Sequence, residues 1–233
     1  MILSVIQPSY FPSVSMYGKI LVSDIVVWAD TFLFKKGSTI NRMKIKTIDG
    51  GRWLTVPVLM HGLAAQQIKN AKIDNHSAWA KNHLRALQNN YCNSPYYFYY
   101  IDELQDIYNH KWEMLAELLE FSMQFLQKKI PLETRFVHGS RLPVIVDRTA
   151  RVVSWLKESG CDTYLFEPHE QMLFDQNKVR EQGFSLKHFT YHAEKYHQQF
   201  SGFQDSLSAL DLLFNEGEMS ASILKRSIVL NQL

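Results

Sequence analysis

Ile2-Leu3-Ser4-Val5-Ile6-Gln7-Pro8-Ser9-Tyr10-Phe11-Pro12 is the stretch whose reading decides the fold. Leu3, Val5 and Ile6 form a short apolar run of the kind that makes a buried strand. The run stops at Gln7-Pro8, and Pro12 follows soon after. Each proline lacks an amide donor and pushes the residue before it toward extended geometry. The chain therefore leaves the strand as a stiff, non-helical loop. In open α/β sheets, ligands bind at the loops that follow strand C-termini. Gln7, Ser9 and Tyr10 are accordingly candidate substrate-binding residues. A turn merely shaped by Pro8 and Pro12 is the competing account.

Beyond this loop, Met16, Ile20 and Leu21 recur at helical spacing, and Ile25-Val26-Val27-Trp28 reads as a second buried strand. Strand, short helix, strand is the βαβ unit of a parallel sheet. Trp53 to Val58 reads as a third strand, with Ile45 and its neighbours as a hairpin partner across Asp49-Gly50-Gly51. Phe136-Val137, Thr163-Tyr164-Leu165-Phe166 and Phe184 to Phe189 supply the fourth, fifth and sixth. A helix capped by Asn75 or Ser77 is expected to run to about Tyr91. Ile101 to Lys129 reads as one long amphipathic helix. Asp147 and Gly160 bound another, and Leu207–Leu213 and Ile223–Leu230 read as the last two. The expected fold is α/β, a mostly parallel Rossmann-like sheet flanked by helices. A helical insertion at about 76–130 lies between strands three and four, within a single domain covering 1–233.

A net charge of +2 over 233 residues gives no basic surface of the size nucleic acid requires. Hydrophobic residues at 46% and charged residues at 21% are the proportions of an ordinary globular chain. The two cysteines, Cys92 and Cys161, form no metal or redox motif and suit a reducing compartment. No leader pattern and no apolar stretch of about 18 residues is present, so a cytoplasmic protein without a membrane span is expected. No Walker A loop or Gly-x-Gly-x-x-Gly occurs, so the usual ATPase and dinucleotide chemistries are not indicated. His188, His192 and His197 lack the cysteine or carboxylate that would complete a metal site, so no metal is expected.

Among residues with chemistry, His83 lies one helical turn from Trp79 and is the candidate general base, because imidazole titrates near working pH. A core histidine satisfied by a carbonyl is the alternative. Asn41 and Arg42 suit an anion, since guanidinium offers a bidentate fork to phosphate or carboxylate. Asp30, ending strand two, suits a sugar hydroxyl. Ser140 is a possible nucleophile or ligand contact without a Gly-x-Ser-x-Gly elbow. Tyr196 and Gln198 suit hydrogen bonds to a polar substrate, or a role in tying the C-terminal segment down.

Several of these stretches carry a family resemblance. Ile6-Gln7-Pro8-Ser9-Tyr10-Phe11-Pro12, Asn41-Arg42, Trp53-Leu54-Thr55-Val56-Pro57-Val58 and Trp79 with Lys81, His83 and Tyr91 resemble segments of WbqC-like proteins. So do Gly160-Cys161-Asp162-Thr163-Tyr164-Leu165, and Tyr196-His197-Gln198 with the run Leu207 to Gly217. Phe166-Glu167-Pro168-His169 departs from the small, glycine-bearing turn more usual in such proteins. The resemblance implies a place in O-antigen or related surface-polysaccharide biosynthesis, and a transferase moving acyl or aminoacyl groups onto sugar or nucleotide-sugar intermediates. Its partners would be a small substrate bearing phosphate or carboxylate and an acyl or aminoacyl carrier. The resemblance leaves the cofactor open. A non-catalytic protein that binds and delivers a nucleotide sugar or carrier remains the second expectation.

Overall fold

In the computed structural model, which describes residues 1–60 and 66–232, β1 (Ile2–Ile6) alternates between two apolar layers. Leu3 and Val5 join one cluster and Ile6 the other. Both faces of the strand are covered, which is why it is nearly continuously apolar. The loop after it is pinned at several points. Tyr10 N donates to Ile40 O, Ala209 N to Pro12 O, and Val14 N to Leu207 O. Phe11 is held at a φ of 41°, in the left-handed region that a bulky residue seldom adopts. Ser13 then caps α1 (Val14–Leu21), its side chain accepting from Met16 N.

The sheet places β1 next to β2 (Ile25–Trp28), and β2 next to the edge strand β5 (Arg135–His138). On the other side of β1 lie β6 (Thr163–Phe166), β7 (Ser185–Tyr191) and β8 (Ile228–Gln232). All these pairings are parallel except β7 with β8. Numbered among themselves, the parallel strands run 3-2-1-4-5, so strand order reverses between β1 and β6. The hairpin β3 (Arg42–Thr47) and β4 (Gly50–Thr55) forms a separate two-stranded sheet. The expected third strand is therefore real but does not enter the parallel sheet. Ile45 pairs with Arg52 as part of the hairpin, and Gly50 takes the positive φ (102°) that the tight turn needs.

Six helices, α1, α2 (Trp79–Tyr91), α3 (Tyr97–Asn109), α4 (Leu115–Lys129), α7 (Ala209–Glu216) and α8 (Ser220–Arg226), contribute to the larger cluster, which also covers the hairpin's inner face of Met43, Ile45, Leu54 and Val56. The opposite face packs on α5 (Arg148–Ser159) and α6 (Gln176–Glu181) through Val152, Trp155, Leu156 and Val179. Each buried aliphatic side chain adds about 1.5–3 kcal/mol in transfer terms. Asp147 does cap α5, and Gly160 ends it in the left-handed conformation.

Three local expectations are corrected. The single helix from Ile101 to Lys129 is two, because the chain at 112–114 is non-helical and pairs with 71–73: Ile73 N donates to Glu113 O, and Leu115 N, opening α4, donates to Ala71 O. Trp112 Nε1 donates to Ile107 O and so closes the end of α3. Neither Ser77 nor Asn75 caps α2; Asn75 instead accepts from Trp79 Nε1 and donates to Trp112 O. Ile223–Leu230 is not one helix, since α8 stops at Arg226 and the chain turns into the antiparallel edge strand β8.

Candidate functional site

Parallel strands deliver their C-terminal residues to one edge of the sheet. At that edge Asp30, just beyond β2, is buried, and it faces the exit of β5. Its Oδ1 accepts from Ser140 N at 2.8 Å, and its Oδ2 from Ser140 Oγ at 2.6 Å. Both oxygens of Asp30 thus accept a hydrogen bond from the exposed Ser140. Gly139 makes this closeness possible: a Cβ there would sit 3.3 Å from both Asp30 Oδ1 and Trp28 O.

His138, the last residue of β5, stands beside this clasp. Its Nδ1 lies 3.8 Å from Asp30 Oδ2 and its Nε2 lies 3.8 Å from Glu120 Oε1 on α4. At that distance neither contact is a hydrogen bond. The ring is 28% exposed and borders a hollow of about 110 Å³ also lined by Trp28, Phe136, Glu120, Met123 and Gln124. That volume is below the roughly 300–1,000 Å³ of pockets for drug-sized ligands, and suits a small acyl-sized group. The sequence reading did not single out His138 or Glu120. The available signal was a histidine ending a strand directly before Gly139-Ser140.

The other expected residues fall into separate groups. The proline-flanked loop is turned inward: Ser9 and Tyr10 are buried, and only Gln7 is exposed. Ser9 Oγ donates to Gln7 O. Tyr10 Oη lies 3.2 Å from His83 Nδ1 and 2.6 Å from Tyr108 Oη. Trp79 packs edge-on against His83, with ring centroids 5.4 Å apart. His83 is 4% exposed, and burial lowers its pKa to about 4, the Thr55 carbonyl partly offsetting the shift. It is neutral at neutral pH, and a reacting group would have to displace packed aromatic rings to reach it.

Arg42 pairs in register with Thr55, close to His83, but its guanidinium lies over Trp53 at 4.2 Å. Its buried Nε has no hydrogen-bond partner among the described residues. Asn41 Nδ2 donates to Val56 O, so this side chain ties the hairpin together, while its buried Oδ1 is unpartnered among the described residues.

Tyr196 and Gln198 belong to a third group around Asp211. Tyr91 and Tyr196 donate to the two oxygens of Asp211 at 2.8 and 2.7 Å. Burial raises the Asp211 pKa to about 6 against the pull of those hydroxyls and of Lys46. Lys46, itself 1% exposed, donates to Gly202 O. Gln198 and Gln204 exchange hydrogen bonds and close the loop between them.

The turn after β6, beside the point where strand order reverses, is held by an ion-pair cluster. Lys19 reaches Glu170 at 2.7 Å and Glu167 at 3.4 Å. The Glu167 amide donates to the Glu170 carboxylate, locking the bulky turn after β6. A larger, shallow groove of about 640 Å³ between α5 and α6 is walled mainly by surface side chains such as Lys157, Glu158 and Lys178. No group of three or more metal-ligating side chains converges among the described residues. No helix there is long and apolar enough to cross a membrane.

Comparison with known proteins gives two matches. The sequence model of the WbqC-like protein family matches residues 7–223. The chain is also 27% identical over 224 residues to "Uncharacterized protein Rv1507c" of Mycobacterium tuberculosis, covering 95% of this chain and 96% of that one. No solved structure matches.

Proposed function

This chain belongs to the WbqC-like protein family, and from that premise we propose that it is a transferase moving an acyl or aminoacyl group onto a sugar or nucleotide-sugar intermediate of surface-polysaccharide biosynthesis. The reaction is assigned to the edge where β2 and β5 end. The observation that carries this reading is His138, partly open to solvent at the mouth of a small hollow, with Asp30 beside one ring nitrogen and Glu120 beside the other. In the proposed step, an amine or hydroxyl of the acceptor attacks the carbonyl of the acyl group. His138 takes the proton, Asp30 steadies the imidazolium, and the donor's leaving group departs with its bonding electrons. The imidazolium then returns its proton to that leaving group.

Ser140 Oγ donates to Asp30 rather than to His138, which favours direct transfer over a serine-bound intermediate. His83, sealed among aromatic rings, is given no step in this reading. The same engagement of Asp30 and Ser140 is what favours the second reading, a binding and delivery protein. Incubating the purified protein with acyl and aminoacyl donors and nucleotide sugars, with mass analysis of products, decides between them. His138→Ala is expected to lower turnover about a hundredfold or more with unchanged thermal stability. Unchanged turnover in that variant would refute the site, and stabilisation by ligands without product from the unaltered protein would refute the transferase.

A further inference from the structure

The hollow beside His138 takes one of its walls from α4. Glu120, Gln124 and Gln127 stand at i, i+4 and i+7 on that helix, so they share one face. Met123, buried in the core, lies among them. β2 and β5 supply Trp28 and Phe136, whose rings meet edge to face with centroids 5.8 Å apart. The carboxylate of Glu120 and the amides of Gln124 and Gln127 make no side-chain hydrogen bond among the described residues. No lysine or arginine among those residues lines the hollow.

Charge at this mouth is unmatched. Asp30 and Glu120 each lie 3.8 Å from a ring nitrogen of His138, and neither has a lysine or arginine within 4 Å among the described residues. The bonds from Ser140 to Asp30 come from neutral donors and leave its charge in place. Two carboxylates therefore face one imidazole, and even a protonated ring leaves one negative charge over. A neutral acyl methyl would meet the apolar wall but leave Glu120, Gln124 and Gln127 unpaired as water departs. A dicarboxylic acyl group would bring a second negative charge beside Glu120. A hydroxyl supplies one donor and no charge, whereas a primary ammonium supplies three donors, each charge-assisted at a carboxylate.

We propose that this hollow binds a primary ammonium group, with Glu120 as its counter-ion, the amide oxygens of Gln124 and Gln127 as further acceptors, and the carbon that carries it resting on Trp28 and Phe136. The group belongs either to an aminoacyl donor or to an amino sugar acceptor. The inference rests on the assignment of this edge as the reacting site, and it narrows the substrate class there to amines.

NMR titration of the full chain, followed at the Trp28 indole and His138 ring signals, tests it with matched probes at about pH 6.5, where such amines carry their proton. The pairs are glycinamide against acetamide, and glucosamine against glucose. At least one ammonium probe is expected to bind about tenfold more tightly than its neutral counterpart. Preference for glycinamide alone puts the ammonium on the donor, and preference for glucosamine alone puts it on the acceptor. Glu120→Gln keeps the shape and removes the charge, and is expected to abolish the preference with thermal stability unchanged. Glu158→Gln, on exposed α5 at the opposite face of the sheet, is expected to leave it intact. Equal binding within both pairs, no binding of any probe, or a preference that survives Glu120→Gln overturns the proposal. The transferase reading fails separately. Ammonium preference without product from any donor would refute turnover alone, and turnover of neutral acyl donors onto hydroxyl acceptors without that preference would refute the ammonium site alone.

Discussion

Burial of His83 has a signature in the pH dependence of stability. Its pKa falls from 6.5 to about 4 on folding. Between those values the unfolded chain binds the extra proton, so stability is fully present above pH 6.5 and drains away as pH falls toward 4. A difference of about 2.5 units at 1.36 kcal/mol each gives a total on the order of 3 kcal/mol, of which about 2 kcal/mol is lost by pH 5. Asp211 works in the opposite direction. Its pKa rises from 3.8 to about 6, so the native state binds the extra proton and stability grows as pH falls through that window, by about 1 kcal/mol at pH 5. The two slopes partly cancel in the unaltered protein, and the test therefore compares variants. Urea unfolding of the unaltered chain and of His83→Gln is measured at pH 8, 6 and 5. The variant starts less stable, and the gap is expected to shrink by about 2 kcal/mol between pH 8 and pH 5. A constant gap would refute the reasoning and would fit a solvent-open imidazole instead, the state required if His83 were itself the catalytic base.

Asp211→Asn is expected to show the reverse trend: its stability relative to the unaltered protein falls by about 1 kcal/mol from pH 8 to pH 5, followed by the same unfolding series. Lys19→Met leaves Glu167 and Glu170 crowded without their cation. Because both carboxylates reach solvent, a loss of about 1–3 kcal/mol is expected, below the range for a fully buried broken pair, read from the urea midpoint. Gly217→Ala places a Cβ about 2.5 Å from the Tyr96 ring at a φ of 52°. Calorimetry should register a cost of about 2 kcal/mol or more. Deleting β8 bares the β7 edge, and gel filtration is expected to show self-association rather than a clean monomer peak.

Local chemistry made much of this chain legible. The apolar run of β1, the Asp147 cap and the Gly160 stop all act within a few residues, through side-chain alternation, a capping hydrogen bond and a permitted left-handed φ. Those signals sufficed for an α/β fold with a mostly parallel sheet. The hairpin partner around Ile45 was legible from the Asp49-Gly50-Gly51 turn, but not the hairpin's separation from the parallel sheet. Trp53 to Thr55 has the same pleat whether or not its hairpin joins the parallel sheet, and only the tertiary packing sets it apart as a two-stranded sheet. The 71–73 segment, far away in sequence, breaks the helical stripe at 112–115 by offering backbone hydrogen bonds. The candidate site divides in the same way. The sequence could nominate Asp30 and Ser140 by residue type, but bringing them within 2.6 Å, setting His138 beside them and sealing His83 away required the register of β2 with β5 and the packing of α2, α3 and the Tyr10 loop. Periodicity is a property of neighbours along the chain, whereas burial and convergence depend on contacts between residues a hundred positions apart, and only the folded arrangement fixes those.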